Sequence, residues 1–305
     1  MEELRIQAHA KINLFLDVLH KRPDSYHEIE TVFQSIGLSD EIILRKLPRD
    51  IKINCEHPQV PLDESNLAYR AAKLLFETSG LSEGVEITIK KKIPVAAGLG
   101  GGSTDAAGTL FGLNRLFELG YEREQLMQFG AKLGADVPFC ILGGTALGRG
   151  IGEILTPLPP FGNVWMVLVN PGFMVSTAWV YQNLHLHTFN FDSKNPKSQN
   201  LGLTKSPKNV NILIQQLRTR NLQKNCDGLF NALEKVVVNQ YPVIWDLKNR
   251  LKDSGALGVL MSGSGPTLFA LMADEFHAKS AAEKLSHGTN FCITTTTSPV
   301  GVVII

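Results

Sequence analysis

Apolar and polar residues alternate with a period of two over the first part of the chain. Ile12, Leu14, Leu16 and Val18 interleave with Lys11, Asn13, Phe15 and Asp17, the signature of a β-strand. Glu41–Lys46 and Ile51–Cys55 are short β-rich runs separated by Pro48, and they predict a hairpin. From Ser65 to Thr78 the spacing changes to that of a helix, with Leu67, Ala71, Leu74 and Leu75 on one face and Gly80 beyond its end. Gly84–Lys90 alternates again. A glycine-rich loop follows, then helical patterns over about Ser103–Leu119 and Glu122–Leu133. Stacked prolines at Pro157, Pro159 and Pro160 interrupt helix and ladder alike, so a domain boundary is expected there, dividing the chain into 1–157 and 158–305.

Beyond that boundary, Val164–Val169 reads as a buried strand. Val210–Thr219, Asp227–Val238 and Pro242–Ser254 read as helices. Ala256–Met261 and Thr267–Met272 read as strands around the turn Ser262–Gly265, and Glu275–Ser286 as a further helix. Thr188–Asn209 is polar and long enough to predict a binding loop or insertion. Helices and strands mix without regular βαβ alternation, which predicts an α+β fold in two domains.

Composition narrows the function classes. With 305 residues, 44% hydrophobic and 19% charged, the chain is globular and large enough for a proper core. Thirty basic residues against 29 acidic ones give a formal charge of +1, which argues against a general affinity for nucleic acid or anionic membrane. The start, Met-Glu-Glu-Leu-Arg, lacks a basic, apolar leader, and no apolar run approaches the roughly 20 residues of a membrane span. Cys55, Cys140, Cys226 and Cys292 are scattered, and His185 and His187 lie too close together for a usual zinc pattern. These features together predict a cytoplasmic protein with reduced thiols.

The sharpest motif is Pro94-Val95-Ala96-Ala97-Gly98-Leu99-Gly100-Gly101-Gly102-Ser103-Thr104. A strand precedes it and a helix follows, so its amides and the helix N-terminus form a candidate anion site. The spacing fits neither the Walker A nor the dinucleotide fingerprint. Ser103 or Thr104 is the expected helix cap, and a hydroxyl there can also reach a phosphate-bound Mg²⁺. The plainer alternative is a flexible turn. Ser262–Gly265 is either a second turn or a second set of amides near a phosphate.

Other candidates carry two readings each. Lys11 lies either on an edge strand facing water or in the interior as a working ammonium. Asp136 is either a turn residue before Pro138 or a semi-buried carboxylate able to pair with a lysine and take a proton from a hydroxyl, placed where a helix gives way to a strand. Tyr26 and His27, in the turn Arg22–Glu28, either face solvent or stack on a planar base. Asn66 reads as a helix cap, and Lys91 and Lys92 as solvated charges at a strand end.

Taken together, Ala10–Leu14, Arg22–Glu28, Pro94–Ala107 and Gly134–Pro138 resemble the GHMP kinase superfamily, named for galactokinase, homoserine, mevalonate and phosphomevalonate kinases. Within it the segments are most similar to the kinases of 4-diphosphocytidyl-2-C-methyl-D-erythritol, over nearly the whole chain. The resemblance implies an N-terminal ribosomal-protein-S5-domain-2-like domain and a ferredoxin-like C-terminal domain, with ATP and Mg²⁺ in the cleft between them. It also implies transfer of the γ-phosphoryl group to the acceptor's 2-hydroxyl, a step in non-mevalonate isoprenoid precursor synthesis. Asp136 would be the base and Lys11 its partner, with Pro94–Thr104 around the phosphates and Asn66 and Lys91 near adenosine. Asn13, Tyr26, His27, Thr177 and Tyr181 would meet the acceptor, the last closing on the cytosine. Ser103 and Thr104 stand as candidate metal ligands, and the partner is a small cytidine diphosphate compound, bound by a monomer or weak dimer.

Two departures are visible: Ser25 stands where the turn commonly has glycine, and Thr104 where a second serine is common. An acidic Mg²⁺ ligand of some members has no recognisable counterpart. A homoserine- or mevalonate-type kinase and a non-catalytic nucleotide- or RNA-binding module remain alternative readings.

Overall fold

A computed structural model of the chain describes residues 2–184, 209–219, 221–286 and 289–305. The residues from His185 to Lys208, with His187 and nearly all of the polar stretch expected as a loop, lie outside them.

Two long strands frame the molecule: β1 (Glu3–Lys21) and β2 (His27–Leu47) run antiparallel from Glu3↔Arg45 to Lys21↔His27. The pairing slips between His9 and Lys11, between Asn13 and Phe15, and between Val18 and His20. Such irregularities re-aim side chains, and two of them flank the Lys11–Asn13 segment. Next come β3 (Ile51–Cys55), α1 (Leu67–Ser79), β4 (Gly84–Lys90), α2 (Gly101–Leu116), α3 (Arg123–Ala131), α4 (Val137–Leu142), β5 (Thr145–Arg149) and β6 (Ile154–Pro157).

The expected hairpin of Glu41–Lys46 with Ile51–Cys55 does not form. Residues 41–46 are the far end of β2, and β4 lies between β2 and β3, antiparallel to the first and parallel to the second. The connection is held open by Asp50, at φ 69°, whose carbonyl accepts from the Val85 amide at 2.9 Å. Leu4, Ile6, Ala8, Ile42, Leu44 and Ile87 pack against α1 and α2 in one core.

After β6 the chain enters a second sheet: β7 (Trp165–Asn170), α5 (Thr177–Gln182), α6 (Val210–Leu217), α7 (Leu222–Asp227), β8 (Phe230–Asn231), α8 (Glu234–Gln240), α9 (Val243–Asp253), β9 (Gly258–Met261), β10 (Leu268–Leu271), α10 (Glu275–Ser286), β11 (Phe291–Thr296) and β12 (Val302–Ile304). This sheet has the order β11-β7-β10-β9. The single helix expected over Asp227–Val238 is instead the end of α7, the two-residue strand β8 and the start of α8. Asn231 causes the break: its side chain is turned to backbone groups rather than to a helix face.

Strands β8 and β12 return to the first sheet, on β1, so a division at 157/158 is crossed twice by the ladder. A further core fills the space between the sheets, built from Ile12, Leu14, Phe15, Leu99, Met166, Leu168 and Phe269. Lys11 and Asn13, which alternate with Ile12 and Leu14 along β1, are buried beside this core.

Candidate active site

The helix after the glycine loop starts earlier than its side chains suggest. Gly100, at φ 73°, is the residue before α2, and no side chain caps the first turn. Neither Ser103 nor Thr104 is the cap; both lie inside the helix. Gly100 is required for a second reason, because a β-carbon there would stand 3.1 Å from the Lys11 side chain. Between its pairings with β12 and β8, β1 offers the Lys11 amide to the Leu99 carbonyl at 3.1 Å. The glycine loop thus lies along the exposed side of β1, directly over Lys11.

Gly98, at φ 76°, meets the second glycine turn: an added β-carbon would come within 2.1 Å of the Ser262 carbonyl oxygen. Ser262 Oγ donates to the Gly98 carbonyl at 2.9 Å, and Gly263 faces Asn13 and Gly98. The two glycine segments form one continuous wall, contributed by both sheets.

Lys11 is buried, with 5% of its side chain exposed, so it is not an edge lysine facing water. Its Nζ lies 3.2 Å from Asp136 Oδ2, donates to Asn13 Oδ1 at 2.8 Å and sits 5.4 Å from the centre of the Phe33 ring. Asn13 in turn donates to Thr31 Oγ1 at 2.8 Å, and Thr31 donates to the Phe15 carbonyl at 2.7 Å. This chain fixes the ammonium at one place, so Asn13 acts on Lys11 as well as lining the cleft. Asp136 precedes α4, not a strand, and keeps 31% of its side chain exposed. The carboxylate is thus paired with a buried cation on one side and accessible from the cleft on the other. Cys140, one turn further along α4, is not a nucleophile: burial pushes its thiol up to about 12.

The pair opens into a cleft of about 1280 Å³, lined by Ala96, Ala97, Gly98, Gly100–Ser103, Asp136, Thr177, Gly263 and Ser264. That exceeds the roughly 300–1,000 Å³ typical for one drug-sized ligand. Tyr26, His27 and Tyr181 line the same cleft. Their arrangement differs from a base slot with an aromatic on each side. His27 stacks on Tyr181 with ring centres 5.0 Å apart, and Tyr26 is 60% exposed. Desolvation lowers the His27 pKa, with the nearby charge of Lys21 adding to it, so the ring is a neutral hydrogen-bonding group. Thr177 shares a 2.8 Å hydrogen bond with Ser264.

Six sequence candidates do not line the cleft. Thr104 is buried, its hydroxyl donating to the His9 carbonyl at 3.1 Å and touching Cys140 Sγ at 3.3 Å, so it is no metal ligand. Asn66 caps α1, accepting from the Ala68 amide and donating to the Pro61 carbonyl. Lys91 is neither solvated nor in the cleft. It is enclosed between Asp40 at 2.5 Å and Asp105 at 2.9 Å. Pro94 and Val95 lead into the loop, and Leu99 points its side chain into the core. Among the described residues, no three His, Cys, Asp or Glu side chains cluster as a metal cage.

Sequence reasoning passed over Asn231 and Glu234. Asn231 donates to the carbonyls of Met261 and Gly263 at 2.7 and 2.8 Å, and Glu234 accepts from the Met261 amide at 2.9 Å, so this pair shapes the second glycine turn. It also passed over Asp40 and Asp105.

Comparison with known proteins agrees with this geometry. Residues 66–144 match the GHMP kinases N terminal domain and residues 213–289 the GHMP kinases C terminal domain. The chain is 45% identical, over 97% of its length and 100% of the relative's, to 4-diphosphocytidyl-2-C-methyl-D-erythritol kinase of Acetivibrio thermocellus. A crystal structure of 4-(cytidine 5'-diphospho)-2C-methyl-D-erythritol kinase superposes with a TM-score of 0.78 at 34% identity, covering 96% of this chain and 99% of that one. A homoserine kinase from Cytophaga hutchinsonii gives the same TM-score at 21% identity, covering 100% of this chain and 98% of that one, so it shares the fold. By these matches the chain belongs to the GHMP kinase superfamily and, within it, to the 4-diphosphocytidyl-2-C-methyl-D-erythritol kinase family.

Proposed function

We propose that the protein transfers the γ-phosphoryl group of ATP to the 2-hydroxyl of 4-diphosphocytidyl-2-C-methyl-D-erythritol, giving the 2-phosphate and ADP. The observation that carries the reading is the Lys11–Asp136 pair at 3.2 Å, set against the glycine loop in a cleft with aromatic rings in its lining. The triphosphate lies along Ala96–Ser103, where backbone amides and the start of α2 meet its charge. Asp136 accepts the proton of the attacking hydroxyl. The acceptor oxygen bonds to the γ-phosphorus as the bond to the β–γ bridging oxygen breaks, and that oxygen leaves with ADP. Lys11 pairs with Asp136 and faces the charge that gathers on the transferred group.

A Mg²⁺ ion fits this donor set as one that is held mainly by phosphates and water, with Ser103 as the hydroxyl facing the cleft. When bound it neutralises phosphate charge. The cytosine ring takes the place of one ring in the His27–Tyr181 stack, exchanging one stacking contact for another. These aromatic rings favour a nucleotide-bearing acceptor over homoserine or mevalonate, which have no ring to stack. The paired Lys11 and Asp136 favour a working kinase over a non-catalytic binding module.

Replacing Asp136 by Asn removes the proton acceptor and preserves shape. The expected result is a fall in kcat of about 10²–10⁴-fold with ATP affinity retained, measured by ADP release and by calorimetry. Unchanged turnover would remove Asp136 from the mechanism.

A further inference from the structure

Behind the glycine loop, and outside the cleft, three ionisable side chains meet in the interior: Asp40 of β2, Lys91 after β4, and Asp105 of α2. Asp40 has no exposed surface and Asp105 has 4%. Such clusters contribute little net stability compared with apolar residues of the same volume, so their geometry is the more informative feature.

The two oxygens of Asp40 serve different strands of the loop's stem. Oδ1 accepts from the amides of Lys92 at 2.6 Å and Ile93 at 2.9 Å, the two residues that lead into Pro94. Oδ2 takes the Lys91 ammonium at 2.5 Å, and the same ammonium reaches Asp105 Oδ2 at 2.9 Å, on the second turn of α2. Lys91 Nζ also lies 3.0 Å from where a β-carbon on Gly101 would be. One carboxylate on β2 therefore ties down the chain where it enters the loop and, through Lys91, where it leaves.

Asp105 has a different character. Burial, then the charge of Asp40, raise its pKa well above the carboxylic range against the pull of Lys91, and it lies in hydrogen-bond reach of Asp40. Its Oδ2 accepts from Lys91 and its Oδ1 has no hydrogen-bond partner, so Lys91 is the link between α2 and Asp40.

We propose that Asp40 is a positioning residue for ATP, setting the span of the phosphate-cradling loop by holding both of its stems. The proposal rests on the reading of that loop as the ATP site. The test is steady-state kinetics of the whole enzyme with MgATP and the diphosphocytidyl acceptor, alongside thermal midpoints.

Asp40→Asn keeps the amide contacts and loses the ammonium. It is expected to raise the KM for ATP about tenfold or more while moving the acceptor KM less than about threefold. Asp105→Asn retains an acceptor for Lys91 and leaves every contact of Asp40 in place, so its effect on the KM for ATP is expected to stay under about threefold. If Asp40→Asn does not fold, Lys91→Gln decides, because it releases the α2 stem alone; a selective rise in the KM for ATP supports the proposal. Equal rises in both KM values, an unchanged KM for ATP, or an Asp105→Asn defect as large as that of Asp40→Asn would overturn it. A wild-type enzyme without MgATP-dependent turnover would overturn the ATP reading itself, an outcome separate from any of these.

Discussion

Ser25 shows how much a single backbone angle can say. It sits at φ 72°, the left-handed region where the family's turn commonly carries glycine, and the turn keeps its shape around it. The Arg22 amide donates to the Tyr26 carbonyl at 2.8 Å, and Arg22 bridges Asp24 and Glu28 at 3.1 and 3.0 Å. The serine bears strain that these contacts hold in place. Ser25→Gly is expected to stabilise the protein by roughly 1 kcal/mol with kcat unchanged, read from the thermal midpoint. A lower midpoint would show that the side chain contributes more than the strain costs. Legibility at this scale was uneven. Lys11 and Asp136 were visible as polar residues among apolar neighbours. Asp40 had the same signal, occupying an inward position in the row Ile36, Leu38, Asp40, Ile42, Leu44, and it marks the buried partner that Lys91 needed. Thr104 misled because a helix starting at Gly101 turns its hydroxyl to the His9 carbonyl.

Among the elements, strands and helices with clear periods were legible, and their partners were not. Gly84–Lys90 was read to the residue, yet its place between β2 and β3 depends on a crossover that no local pattern records. β8 was invisible because two residues carry no period, although they join the second half of the chain to β1. The two glycine segments were recognised separately; their contact was not, since it spans more than half the chain. Gly98→Ala tests that contact. Positive φ and a β-carbon 2.1 Å from the Ser262 carbonyl oxygen together are expected to cost about 3 kcal/mol or more in urea unfolding. A change within about 0.5 kcal/mol would mean that the two loops are not rigidly apposed.

At the scale of the whole molecule, Lys11 and Asp136 come from the first half of the chain, but part of the wall around them does not. Ser262, Gly263 and Ser264 close the wall over Asn13 and the glycine loop, and β8 and β12 complete the ladder of β1 from the far end of the chain. A fragment of residues 1–157 would expose Ile12, Leu14, Phe15 and Leu99, which pack between the sheets. It is therefore expected to lack a cooperative thermal transition, whereas the full chain unfolds in one; a sharp transition in the fragment would contradict this interlocking. The reading of the cleft as a whole depends most on its acceptor. Purified protein with MgATP would be offered the diphosphocytidyl compound, methylerythritol phosphate without the cytidine end, homoserine and mevalonate, with ADP release measured and Asp136→Asn as the blank. Turnover with the first acceptor alone is the expected result, while turnover with another acceptor, or with none, would contradict the assignment.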